Sequence, residues 1–307
     1  MNWTYKDIPS QEGKVAIVTG ANSGLGFYTA KGIVSKGGEL VMACRSLEKA
    51  EAARKELVSE FPDATLKTMH LDLGDLSSVR RFASEFKKSY KKLDLLVNNA
   101  GLMAIPYRKT VDGFEMQFGV NHLGHFALTG LLMDLLKKTK DSRVVNVSSA
   151  AHNMGEIRFE DIHWEKKYQK WRAYGMSKLA NIHFTYEMAD RVSDKEYAVK
   201  VMAAHPGYSD SNLIEKGPSM KGRNFLARAG RVVNKIFAQS TEMGALPTLY
   251  AATAPEAIHR AYYGPRGGMR GYPERVYPNA KKVNKEVQVR LWELSEELTK
   301  VSFLNGN

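Results

Sequence analysis

Among 307 residues there is one cysteine, Cys44. An intramolecular disulfide and a cysteine-cluster metal site are thereby excluded, and a cytoplasmic protein is expected, since such usage fits a reducing compartment. Long hydrophobic runs are missing too: no segment approaches the roughly 20 consecutive apolar residues that cross a bilayer. Met1 to Gly13, with Lys6, Asp7, Pro9 and Glu12, has no apolar core, so neither a secretory signal nor a membrane anchor is expected there. Internal repeats, low-complexity tracts and linker-like stretches are absent as well, which points to a single domain. Acidic residues are in the minority, 33 Asp and Glu against 45 Lys and Arg, for a formal charge of +12. A nucleic acid or an anionic membrane surface would profit from that field. The cations, however, as in Lys87, Lys88, Lys91 and Lys92, spread over what read as solvated helix faces, and no recognition motif accompanies them. No nucleic-acid partner is expected, whereas a polyanionic cofactor would be favoured.

What is present alternates. Lys14 to Gly20, Glu39 to Arg45, Thr65 to Leu73, Leu93 to Val97, Arg143 to Val147 and Ala198 to Ala204 are six short apolar runs, separated by helical stretches such as Leu47 to Glu60. This order predicts an α/β fold, a Rossmann-type doubly wound parallel sheet with ligands at the carboxyl edge of the strands. The first run ends in Thr19-Gly20-Ala21-Asn22-Ser23-Gly24-Leu25-Gly26, followed by a helical pattern through Phe27, Ala30 and Ile33. Gly20, Gly24 and Gly26 permit a tight turn, close approach of backbone to a pyrophosphate and tight helix packing, with a helix N-terminus facing the anion. About 20 residues beyond the turn, a NAD-specific protein offers a carboxylate to the adenosine ribose. Cys44 and Arg45 stand there instead; a guanidinium suits a 2′-phosphate, so NADP(H) is expected over NAD. Asp72, beside Leu73, reads either as an acceptor for the adenine amino group or as the N-cap of a helix beginning near Leu76. In Asn98-Asn99-Ala100-Gly101, two amides at a strand end can stitch neighbouring strand ends together.

Three further features carry chemistry. Asn121, within Val120-Asn121-His122-Leu123-Gly124-His125-Phe126, is unfavourable in a helix unless it has partners. His122 and His125 are three apart without a clear third ligand, so no metal site is expected. Ser148-Ser149 sets hydroxyls at the carboxyl end of the fifth run. Tyr174 and Lys178 stand four apart in Arg172 to Asn181, on one face of a helix. An ammonium about 4 Å from a phenol, at an effective dielectric of about 20, is worth roughly 4 kcal/mol, enough to bring a group that titrates near 10 toward neutral pH. A proton-transfer pair is expected.

Taken together and in this order, the residues resemble the short-chain dehydrogenase/reductase superfamily over most of the chain. The matching motifs are Thr19 to Gly26, Asp72, Asn98 to Gly101, Asn121, Ser149, Tyr174 with Lys178, and Pro206-Gly207 with Ser211. The resemblance implies cofactor contacts from Gly20, Asn22, Ser23, Gly24, Leu25, Gly26, Arg45, Asp72, Leu73, Asn99, Ala100, Gly101, Tyr174, Lys178, Pro206, Gly207 and Ser211. It implies hydride transfer between a carbonyl and an alcohol, with Tyr174 as general acid or base. Lys178 would lower the Tyr174 pKa and hold the nicotinamide ribose. Ser149, the second serine of the pair as in the family, would bind the substrate oxygen. Asn121 would hold a water near the lysine through its backbone carbonyl. The runner-up is a non-catalytic NADP(H)-binding sensor or scaffold on the same fold; proteins of that sort typically lack the Tyr or the Lys. A homodimer or homotetramer is an expectation by analogy alone.

The interval from Ser149 to Tyr174 is about twice the family's usual one and carries His152, Ile157, Phe159, Trp164, Tyr168 and Trp171. With Ala43-Cys44-Arg45 and Ser177-Lys178-Leu179-Ala180-Asn181, it resembles the retinol-dehydrogenase-like branch, bacterial relatives included. That branch mostly prefers NADP(H) and acts on lipophilic carbonyls and alcohols. The aromatics either shape a pocket for a bulky apolar substrate or pack the insertion onto the sheet. Expected boundaries are an N-terminal arm over 1–12, a dinucleotide-binding and catalytic core over 13–207, a helical substrate lid with its following helix over 208–254, and a C-terminal extension over 255–307. The lid holds a basic amphipathic stretch, Ser211 to Gln239, suited to an apolar substrate or an anionic membrane surface, with packing against the body the favoured reading. The extension passes through a Gly/Pro/Arg-rich segment, Pro265 to Pro278, into a helical stretch, Val283 to Leu298, that closes the site or joins subunits. A retinoid is not expected as the physiological substrate, because the hydrophobic leader of the membrane-anchored vertebrate enzymes is not seen at this N-terminus.

Overall fold

In the computed structural model, which describes residues 2–207 and 239–305, the six runs become strands. They are β1 (Val15–Thr19), β2 (Glu39–Cys44), β3 (Leu66–His70), β4 (Leu95–Asn98), β5 (Ser142–Val147) and β6 (Val199–Ala204). Two unanticipated strands, β7 (Tyr262–Pro265) and β8 (Pro273–Val276), complete one eight-stranded sheet in the order β3-β2-β1-β4-β5-β6-β7-β8. All neighbours are parallel except β7 with β8. Those last two are short and punctuated by Gly264, Pro265 and Pro273, residues that read as turn rather than strand. The C-terminal extension therefore contributes to the main sheet.

Between and after the strands lie α1 (Gly24–Val34), α2 (Leu47–Glu60), α3 (Leu76–Ser89), the single turn α4 (Met116–Phe118), α5 (Gly124–Lys138), α6 (Lys170–Asp194), α7 (Thr241–Thr253) and α8 (Lys285–Thr299). β1 is buried at all five positions, as a parallel strand covered on both faces must be. Its alternation sends Val15 and Ile17 into one core with Phe82 of α3, Phe126 of α5, Phe184 of α6 and Trp292 of α8. Ala16 and Val18 enter the other, with Ile33 of α1, Leu57 of α2 and Leu249 of α7. Helices thus cover both faces, and the sheet is doubly wound. Trp292 seals α8 onto the body, its ring centroid 5.0 Å from Phe126 and 4.7 Å from Phe303.

α3 excludes the N-cap reading of Asp72. Asp75 is its N-cap, accepting from Ser77 N at 2.8 Å and Ser78 N at 3.3 Å. Asp72 instead accepts from Gly74 N at 2.9 Å and remains at the strand edge. The stretch expected as a lid lies, from 208 to 238 and including Ser211, outside the described residues; its following helix is α7. Among the described residues no helix is long and apolar enough to cross a membrane.

Candidate active site

β1 and β4 are neighbours, and from them the chain winds outward in opposite directions, so their carboxyl ends flank a crevice. Its walls come from Gly20 and Asn22 to Gly26 after β1, Ala43 and Arg45 at β2, Leu71 to Leu73 after β3, Asn99 to Leu102 after β4, and Val120. All twelve residues named from the sequence between Gly20 and Gly101 lie on these walls. Ala43, Leu71, Leu102 and Val120 were not among the expected cofactor contacts, because an apolar wall residue bears no chemical signature of its own.

The crevice is shaped by backbone. Gly20 and Gly24 have φ of +67° and +58°, the left-handed region that glycine enters without a Cβ penalty. A Cβ on Gly26 would strike the Gly20 carbonyl and stand 2.5 Å from Asn99 Nδ2. That amide nitrogen donates to Thr19 O at 2.8 Å, while the N–H groups of Asn99 and Ala100 both donate to Thr19 Oγ1 at 2.9 Å. Asn98 Nδ2 donates to Asn146 Oδ1 at 2.8 Å and to Thr129 Oγ1 at 2.9 Å. The two amides thus tie the ends of β1, β4 and β5. Ser23, the N-cap of α1, gives no side-chain hydrogen bond to the first turn, whose N–H groups are left for an anion. Arg45 is exposed and makes no ion pair among the described residues.

Beyond Gly101 the wall meets α6. A Cβ on Gly101 would stand 3.2 Å from Asn121 Oδ1 and 3.3 Å from Lys178 Nζ, so glycine lets the two converge. Tyr174 and Lys178 are buried, at 6% and 4% exposure. Lys178 Nζ donates to Val147 O at 3.0 Å, and burial pushes its pKa down to about 8, leaving it largely protonated at neutral pH. For Tyr174, burial pushes the phenol above its ordinary value and a hydrogen bond with the Ser149 side chain acts in the opposite sense. The expected lowering by Lys178 is not met. The ammonium is held by Val147, 5.9 Å from the tyrosine ring centroid, and desolvation governs instead.

Two glycines seat the segment after Ser149 on α6. Gly175 and Gly155 let the short 3-10 helix Ala150–Met154 lie flush on α6: a Cβ on Gly175 would be 2.7 Å from Ala151 O and 2.9 Å from Gly155 N. Ser148, in contrast, is buried and donates to Lys178 O at 2.7 Å. The second serine is the one beside the phenol.

Asn121 lies in a π-helical turn, Gly119–Leu123, and has the partners a buried amide requires. Its Oδ1 accepts from Leu102 N at 2.7 Å, and its Nδ2 donates to Leu102 O and Ser177 Oγ, both at 2.9 Å. The nearby histidines are engaged as well: His122 Nε2 with Ser295 Oγ at 2.8 Å, and His125 with Thr19 and Asn121.

The aromatic insertion divides. Trp164 is buried under the Arg158 guanidinium, 4.5 Å from its ring centroid. Tyr168 Oη accepts from Gln117 Nε2 at 2.8 Å and donates to Ile105 O at 2.9 Å, and Ile157 and Phe159 join the same cluster. His152 Nδ1 donates to Ser149 O at 2.7 Å. These side chains pack the insertion. Trp171 alone stands beside the phenol with an open face, 47% exposed and edge-on to Tyr174 at 6.4 Å. Pro206 and Gly207 follow β6; Pro206 O accepts from Gln239 Nε2 at 2.7 Å, and Gly207, at φ +67°, abuts Met269 O.

A glycine-cradled crevice at a strand switch point, with a buried tyrosine and lysine and a half-buried serine at its end, defines a protein of the dehydrogenase class. A family model for short chain dehydrogenases matches residues 14–221, and the chain belongs to that family of oxidoreductases acting between carbonyl and alcohol. Its relatives lie in the retinol-dehydrogenase-like branch. The chain is 40% identical over 289 residues to human retinol dehydrogenase 13, covering 93% of this chain and 84% of that protein. Mouse retinol dehydrogenase 12 is 40% identical over 288 residues, covering 93% and 86%. Among solved structures, an uncharacterized protein from Mycobacterium paratuberculosis is 40% identical, with 99% of each chain covered and a TM-score of 0.82.

Proposed function

We propose that the protein is an NADP(H)-dependent oxidoreductase that interconverts a carbonyl and an alcohol on a lipophilic substrate, with Tyr174 as general acid or base. The observation that carries this reading is the buried pair Tyr174 and Lys178 on α6, with the Lys178 ammonium converging with Asn121 on the crevice wall at Gly101. A dinucleotide fits the crevice on its own terms: a side chain at Gly26 would collide with backbone, and the α1 N-terminus offers N–H groups to a pyrophosphate. Asp72 and Leu73 would border the adenine, Arg45 the 2′-phosphate, Asn99 to Gly101 and Lys178 the nicotinamide half, with Pro206 and Gly207 at the far end. Bound there, NADP(H) supplies or accepts the hydride.

The residues of the chain handle the proton. A phenol raised by burial keeps its hydrogen at neutral pH, so Tyr174 is ready to donate to the substrate oxygen in the direction of reduction. Ser149 holds that same oxygen, stabilising charge where it develops. Lys178, cationic below about 8, would hold the nicotinamide ribose and stand next along the path of the proton. Asn121 would hold, through its backbone carbonyl, a water that carries the proton on toward solvent. Support for a lipophilic substrate comes from Trp171 and Met154, 47% and 52% exposed on the insertion, and from relatives that are retinol dehydrogenases.

The test is a panel of aldehydes, ketones and alcohols of increasing apolar size, retinaldehyde included, assayed with NADPH and NADH in parallel by nicotinamide absorbance. Turnover that favours NADPH and grows with apolar size is expected. A protein that binds NADPH yet turns over nothing in the panel contradicts the reading.

A further inference from the structure

His125 makes two hydrogen bonds that the proposed chemistry does not use, and together they have one direction. Thr19 Oγ1 already accepts from the N–H groups of Asn99 and Ala100, so its own hydrogen must go outward. His125 Nε2 lies 2.9 Å from it, Val97 O 3.4 Å. On the far edge of the ring, His125 Nδ1 is 3.1 Å from Asn121 O. A carbonyl oxygen only accepts, so Nδ1 carries the hydrogen, and a neutral imidazole then presents at Nε2 the lone pair that Thr19 needs. Burial, with the Lys178 charge acting in the same direction, pushes His125 down to about 4, so the neutral ring prevails at pH 7. One tautomer satisfies both ends. Hydrogens run from Asn99 and Ala100 to Thr19, from Thr19 to His125, and from His125 to the Asn121 carbonyl.

Asn121 is thereby gripped twice by the wall of the cofactor crevice. Its side chain binds Leu102 directly, and its carbonyl is reached through Thr19 and His125. A π-helical turn has irregular main-chain bonding, so a side chain that aims one of its carbonyls has a task there. We infer that His125 is a positioning residue, aiming the Asn121 carbonyl from the cofactor-side wall and so coupling the proton path to the β1–β4 stitch. The inference rests on the reading of Tyr174, Lys178 and Asn121 as the proton path.

The full-length protein, assayed with NADPH and retinaldehyde, tests it. His125→Phe keeps ring volume and removes both nitrogens; His125→Asn returns an N–H donor near the Nδ1 position. In His125→Phe, kcat is expected to fall roughly 10- to 100-fold with the KM for each substrate within about threefold of wild type. His125→Asn is expected to recover most of the loss, with thermal unfolding followed alongside. Wild-type kcat in His125→Phe, or equal slowness of the Phe and Asn variants, overturns the inference. Should His125→Phe fail to fold, His125→Asn is compared with His125→Gln, whose amide reaches the Nε2 position instead; Asn faster than Gln supports the inference, and equality or the reverse overturns it. The underlying reading fails separately, if Tyr174→Phe is as active as wild type. A wild type inert across the panel overturns both.

Discussion

The cofactor-side wall, from Gly20 to Gly101, is made largely of backbone. Glycines open it, and main-chain N–H groups bound to Thr19 and an Asn99 amide hold it. The opposite side, from Ser149 to Trp171, is assembled across distance: the segment after Ser149 lies on α6 beside Tyr174 because Gly155, 20 residues earlier in the chain, packs against Gly175. One half is a surface for a ligand whose phosphates and riboses vary little. The other is a packed insertion whose exposed face, Trp171, can change without disturbing what lies beneath. Binding and chemistry should therefore separate under mutation.

The largest effect breaks the chemical half alone. Tyr174→Phe is expected to lower kcat/KM for retinaldehyde about 1,000-fold, within the range set by loss of a general acid, while NADPH affinity in a fluorescence titration stays near wild type. Gly26→Ala breaks the other half. With backbone on one side and the Asn99 amide on the other, the added methyl is expected to cost roughly 1–3 kcal/mol, seen as NADPH affinity lowered about 10- to 100-fold. Arg45→Asp sharpens the comparison within the cofactor side: the ratio of kcat/KM for NADPH over NADH should drop about tenfold or more, with kcat little altered. An unchanged ratio removes Arg45 from the account.

Both halves carry buried neutral histidines, so acid should loosen them together. Burial pushes His122 down to about 3 and His125, His183 and His205 to about 4, against about 6.5 in an unfolded chain. Between those values the unfolded state binds more protons, so stability is full above about 6.5 and is lost as pH falls toward 4. Thermal unfolding from pH 7.5 to 4.5 checks this; a flat midpoint contradicts the burial of these rings. The smallest effect is on the exposed face. Trp171→Ala should raise KM for retinaldehyde about three- to tenfold and leave both NADPH affinity and, within about 0.5 kcal/mol, stability unchanged.

The same division explains what was legible in the sequence. Gly20 to Gly26, the Asn98 to Gly101 stitch and α2 are local signals, each complete within a short run, and the structure has them where they were read. Tyr174 and Lys178 were legible as a pair on one helix, but the direction of the phenol's pKa was not, because burial and the Val147 carbonyl come from elsewhere in the fold. Asp72 and Asp75 both stand before α3, and only geometry chooses the cap. Of the insertion's aromatics, Trp164 and Tyr168 were indistinguishable by type from Trp171, since exposure is a tertiary property. β7 and β8 hid behind glycine and proline. The close approach of Gly155 to Gly175 spans 20 residues and has no local signature.

The most direct measurement sets NADPH titration and single-turnover reduction of retinaldehyde side by side for wild type, Tyr174→Phe and Gly26→Ala. Tyr174→Phe is predicted to bind NADPH as wild type does and to reduce the aldehyde about 1,000-fold more slowly, whereas Gly26→Ala loses binding first. A Tyr174→Phe protein that reduces the aldehyde at the wild-type rate contradicts the account.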